Sequence, residues 1–111
     1  MEMQVVECDG VSLAILEGRF DIAGAQAVDL HFSALAGAVP ALGVDMSGVK
    51  FLASMGVRTL MLSAKTMLRR GARIVVFGAD ENAEKVLRAT GFDEIVGLYP
   101  DRDAAMAALK A

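Results

Sequence analysis

The sequence has one cysteine, one histidine, one tyrosine and no tryptophan. A lone Cys8 forms no internal disulfide, which suits a reducing compartment. It reads as a small apolar side chain near a strand end. Cys8 and His31 together cannot build a structural zinc site, and neither C-x-x-C nor H-E-x-x-H occurs. Five Phe and one Tyr leave few platforms on which single-stranded bases could stack. Excess positive charge is missing too. Eleven Lys and Arg against fourteen Asp and Glu give a net charge of −3, the wrong sign for a general nucleic-acid binder. The longest stretch without a charge, residues 30–44, is broken by Gly37, Pro40 and Gly43 and is too short to span a bilayer. No basic segment leads into an apolar run with a cleavage site, so no secretory signal is expected. These absences predict a cytoplasmic protein that neither enters a membrane nor binds nucleic acid.

What the chain does have is apolar content: 55% of its 111 residues are hydrophobic. That excludes intrinsic disorder. The length predicts one domain over residues 1–111. A chain of this size should expose roughly 5,900 Å² when folded against about 17,000 Å² unfolded, enough burial for one core without disulfides or metal.

Glycine punctuates short elements. Residues 3–7 and 12–18 are apolar-rich runs joined by Asp9-Gly10, a strong hairpin signal. Residues 23–36 turn helical, with Ala25, Val28, Phe32 and Leu35 on one face. Residues 42–46 suit a short buried strand. Residues 54–70 form the strongest helix. Val57, Leu60, Met61, Ala64 and Leu68 make its core stripe, and Gly71 follows as a natural stop. Residues 73–77, apolar on both faces, read as a buried parallel strand. Asp80 can cap a helix ending at Gly91, residues 95–98 make a weak strand, and Pro100-Asp101 opens a last helix with Ala105, Met106 and Leu109 inward. The order ββαβαβαβα predicts a small α/β domain with a mixed, mostly parallel sheet of about four to five strands and about four helices.

Catalytic signatures are sparse. There is no G-x-x-x-x-G-K-[ST] phosphate loop and no G-x-G pair. His31 sits at the edge of an apolar helix face, where a packed or half-exposed histidine is expected rather than a general base. Pairs such as Asp93-Glu94 read as solvated surface. Arg58, Lys65 and Arg69, at i, i+7 and i+11, share one helical stripe and read as a solvated face. Nothing here makes a case for an enzyme.

One segment is unusual: the run from Val44 through Ser54 to Val57, in which a buried strand and a loop deliver Ser54 to the start of a helix. Two readings of Ser54 stand side by side. Serine is a favoured N-cap. Its hydroxyl is also presented at the positive end of a helix, where a phosphate would meet N–H donors, with Arg58 four residues on and near the same azimuth. Met55 and Leu62 project within about 20° of each other and almost opposite the core stripe, beside Thr59 and Thr66. Either another helix of the domain covers them or a partner protein does. Gly56 removes a side chain where a backbone could approach closely.

Asp45-Met46-Ser47-Gly48-Val49 followed by Phe51-Leu52-Ala53-Ser54-Met55-Gly56 resembles the central motif of STAS domains, and within that group the bacterial anti-sigma factor antagonists. Gly18-Arg19-Phe20-Asp21 is similar to the family's turn from second strand to first helix. Thr90-Gly91-Phe92-Asp93 with Ile95, and the segment 101–109, look like its C-terminal end. The resemblance covers residues 3–110 and agrees with the element order.

It implies that Ser54 is phosphorylated by a kinase that is also the anti-sigma factor, and that the unphosphorylated form binds this kinase and frees a sigma factor. A serine phosphatase restores it. Asp21 matches the acidic loop residue beside the serine, and Gly56 the glycine of the helix start. Ala53 stands where the family commonly has Asp, and Met55 where it has a second Ser. The expected partner surface is therefore Asp21, Ala53, Met55, Gly56, Arg58 and Leu62 around Ser54, with no catalytic residue, metal or cofactor. The alternative within the fold is a constitutive subunit of a lipid-transport or stress-signalling assembly, with Ser54 only a cap.

Overall fold

The computed structural model describes residues 1–110; Ala111, the last residue of the expected 1–111 unit, lies outside them. The chain opens with β1 (Glu2–Cys8) and β2 (Val11–Phe20), paired antiparallel from Glu2 opposite Glu17 to Cys8 opposite Val11. Asp9 and Gly10 both adopt positive φ, at 52° and 81°. This is the backbone of a two-residue turn whose twist matches the strands it joins.

Then follow α1 (Ile22–Ala38), β3 (Ala41–Leu52), α2 (Ser54–Arg69), β4 (Arg73–Phe77), α3 (Glu81–Ala89), a single 3-10 turn (Phe92–Glu94), β5 (Gly97–Tyr99) and α4 (Arg102–Lys110). The five strands lie in the order β1-β2-β3-β4-β5, all parallel after the first pair. Each new strand is laid beside its predecessor on the same side. Crossovers of one hand therefore place α1, α2 and α3 on one face. There Phe20, Phe32, Leu60, Met67, Leu87 and Phe92 are buried in a single core. On the opposite face α4 packs Ala105, Met106 and Leu109 against Leu13, Val75 and Phe77. The folded surface is 5759 Å², close to that expected for this length.

Helix ends follow local chemistry. Asp21, Asp80 and Asp101 accept hydrogen bonds from the backbone N–H of Gly24, Ala83 and Ala104 at 2.8–2.9 Å and so start α1, α3 and α4. Gly71 and Gly91, at φ 75° and 79°, follow the ends of α2 and α3. Among the described α-helices, α2 alone begins without a side-chain cap.

Four expectations are corrected. The strand expected over 42–46 runs on to Leu52, because β2 stays paired with it through two register shifts around Glu17 and Gly18. β4 ends at Phe77, opposite Asp45, so the second half of β3 projects past it beside β2 alone. The last strand is Gly97–Tyr99, not 95–98. The 3-10 turn uses residues 92–94, and Val96 donates its N–H to the Phe92 carbonyl and is buried in the core. On α2, Leu68 is exposed, whereas Thr59, Ser63 and Met67 are buried. The cause is α1, which lies along that flank. The Thr59 hydroxyl donates to the Asp29 carboxylate at 2.8 Å, and Arg70 donates to the Ala36 and Val39 carbonyls at 2.7 and 3.1 Å. His31 is exposed; Val28 and Phe32 carry the inward face of α1 without it.

Candidate functional site

The overhanging β2–β3 ribbon ends in two adjoining corners. Phe20 pairs with Leu52, the last residues of their strands, and α1 and α2 start immediately beyond. A hydrogen bond from the Ala53 N–H to the Phe20 carbonyl (3.0 Å) joins the corners. Gly56 packs against the same residue: a Cβ there would lie 2.6 Å from the Phe20 oxygen and 2.8 Å from its ring. The close approach predicted at Gly56 is thus to the Phe20 backbone.

Ser54 is not the cap of α2. Ala53 occupies that position, with extended backbone (φ −106°, ψ 170°), because the bond to Phe20 keeps it in the strand direction. Its carbonyl accepts from Gly56 and Val57 at 3.0 and 3.2 Å. Ser54 is therefore the first helical residue. Its side chain is exposed and takes no part in capping. The N–H groups of Ser54 and Met55 are the helix-end donors, and the first turn of α2 contains no acid.

Asp21 stands at the neighbouring corner. Its carboxylate accepts from Gly24 N–H at 2.9 Å and from Arg19 Nε at 3.4 Å. The Gly24 N–H, and then Arg19, hold its pKa below the ordinary aspartate value. The Arg19 guanidinium in turn lies 4.4 Å from the centroid of the Phe51 ring. Sequence reasoning missed Phe51 and Ile22, both of which are exposed beside this corner. Gly18 and Gly48 were the available signal, since isolated glycines inside strands mark bulges, and bulges re-aim the residues after them.

Met55 and Leu62 are 38% and 54% exposed. α1 covers Thr59 between them and leaves both uncovered, which decides that question against a helix of the same unit. Arg58 lies one turn beyond Ser54 and is exposed. The structure thus gathers Asp21, Ala53, Ser54, Met55, Gly56 and Arg58 at one end, with Leu62 two turns along α2.

The STAS domain family model matches residues 2–105. BtrV of Bordetella bronchiseptica, named as a candidate anti-sigma factor antagonist, is 24% identical over 99% of this chain and 96% of its own. Among solved structures, an anti-sigma factor antagonist from Mycobacterium paratuberculosis superposes with a TM-score of 0.90 at 29% identity, covering 99% of this chain and 94% of that one. SpoIIAA in its unphosphorylated form, an anti-sigma factor antagonist, superposes at 0.81 with 15% identity over 98% and 96%; it has also been solved phosphorylated.

Proposed function

The chain belongs to the STAS domain family, and on that premise we propose that it is a cytoplasmic anti-sigma factor antagonist switched by phosphorylation of Ser54. The observation that carries this reading is the serine itself, exposed at the first position of α2, with its hydroxyl released from capping by Ala53. The names of its relatives supply the class of partner.

In the unmodified state, the Asp21 corner, Ser54, Met55, Gly56, Arg58 and Leu62 dock on a kinase that is also the anti-sigma factor, and a sigma factor is freed. The kinase transfers the γ-phosphoryl group of ATP to the Ser54 oxygen. ADP leaves, and the hydroxyl proton passes to the kinase's base. The product gains about −1.5 to −2 charges at the centre of the docking surface. Within this chain that charge is tolerated, since the helix end offers N–H donors, the dipole favours an anion and Arg58 is one turn away. In the complex it must be desolvated. A loss of about 2 kcal/mol weakens binding roughly thirtyfold. A serine phosphatase reverses the step.

Incubation with the cognate kinase and ATP tests this. The expected result is one phosphoryl group by mass, located at Ser54, and release of the partner; Ser54→Ala stays unmodified and bound. An unchanged mass, with Ser54→Ala and wild type alike in partner release, overturns the switch. A pull-down that returns a transport ATPase in place of a kinase would favour the constitutive subunit.

A further inference from the structure

The outer face of α2 carries more than the switch uses. The helix contains no Asp or Glu, in a chain of net charge −3. Arg58, Lys65 and Arg69 share its exposed stripe, over about 16 Å or three turns. Elsewhere, Arg19, Lys85, Arg88 and Lys110 each pair with a carboxylate and Arg70 bonds to backbone carbonyls, while Lys50 and Arg102 are single exposed cations and form no comparable row. Among the described residues, no ion pair is formed by the three cations of α2.

Beside this stripe, α1 and α2 enclose an open groove of about 400 Å³. Leu30, 86% exposed, and Leu62 form its apolar walls. Asp29, Ser33, Thr59, Ser63 and Thr66 make the rest of it polar. A groove between two packed helices accepts the ridge of a third. Its chemistry is that of an amphipathic segment: leucine-like side chains against Leu30 and Leu62, a hydrogen-bond donor toward Asp29, and carboxylates along the α2 flank. A flat anionic membrane fits poorly, because it would set lipid charge against Asp29 and leave the groove's polar groups without partners.

We infer that the α1–α2 groove and the Arg58, Lys65 and Arg69 stripe form a docking site for an acidic amphipathic helix of a partner protein. The inference rests on the reading above insofar as it names the partner chemistry for the same face of α2, but it does not require Ser54 to be modified.

The test uses the full chain and a labelled designed peptide of about four helical turns, with leucines spaced i, i+3 and i+7, one asparagine facing the groove and glutamates on one flank. Fluorescence anisotropy should show saturable binding that weakens with salt. Amide shifts should centre on Leu30, Ser33, Leu62 and Thr66. The exposed triple variant Arg58→Glu/Lys65→Glu/Arg69→Glu should bind about tenfold more weakly or worse. It should instead accept a peptide with lysines in place of the glutamates. Unmodified wild-type protein should bind the acidic peptide with neither kinase nor ATP present, so a failed phosphoryl transfer and a failed docking site are told apart.

Equal binding of the acidic and basic peptides by wild type overturns the proposal, as does absence of binding at millimolar peptide. So does tighter association with vesicles containing phosphatidylserine than with the peptide.

Discussion

The carbonyl oxygen of Phe20 sits where a Cβ on Gly56 would come within 2.6 Å of it, and the same oxygen accepts the N–H of Ala53. Strand β2 and helix α2 are therefore locked together through one backbone oxygen, and Ser54 lies between its two contacts in sequence.

Gly56→Ala tests that lock. Alanine favours a helix by about 1 kcal/mol over glycine. Here the added methyl meets backbone, so the corner must shift, at a cost of about 1–3 kcal/mol. Net destabilisation in urea unfolding is expected, with weaker partner binding from the displaced Ser54. A variant more stable than wild type would show that the corner yields freely.

Ala53→Asp should act in the opposite direction on stability. The position has the extended backbone of a cap but no side-chain acceptor, unlike Asp21, Asp80 and Asp101 at the other three helices. A carboxylate there should stabilise the protein by about 1 kcal/mol in urea unfolding. It should also set a negative charge beside a phosphate on Ser54. Under the proposed switch, the phosphorylated Ala53→Asp protein should therefore lose most of that gain, while phosphorylated Ala53 protein keeps its stability.

The pH dependence of the Asp21 corner has a defined sign. Its folded pKa is lowered by the Gly24 N–H and by Arg19. A lowered folded pKa contributes stability that is present above the unfolded pKa, about pH 4, and is lost as pH falls through the folded value. Carbon-detected NMR titration should place the Asp21 midpoint below that of an unstructured peptide. Asp21→Asn keeps a capping oxygen without the charge. Its stability difference from wild type should shrink steadily below about pH 4. A difference that does not change with pH would rule out the carboxylate charge as the source.

Much of this architecture is legible residue by residue. Asp9-Gly10 sets the first hairpin because only a few residue types accept two successive positive φ angles. Gly71, Asp80, Gly91 and Asp101 mark helix ends because their signals act over three or four residues. Misreadings fall where the deciding partner is distant. Residues 47–52 look like a loop, since their strand partner is β2 across two register shifts. Thr59 looks solvent-facing, and Leu68 looks buried, because the position of α1 sets which flank of α2 is covered.

Ser54 divides along the same line. Local signals place a serine at the start of an amphipathic helix, in a motif resembling STAS domains, with Arg58 one turn on. Backbone propensity and periodicity suffice for that, because both are local. That Ala53 takes the cap, and that Met55 and Leu62 stay open, follows from contacts between distant segments. The first depends on a hydrogen bond to Phe20, 33 residues back along the chain (53 − 20 = 33), and the second on where α1 comes to rest. Long-range packing sets both, and no local pattern encodes them.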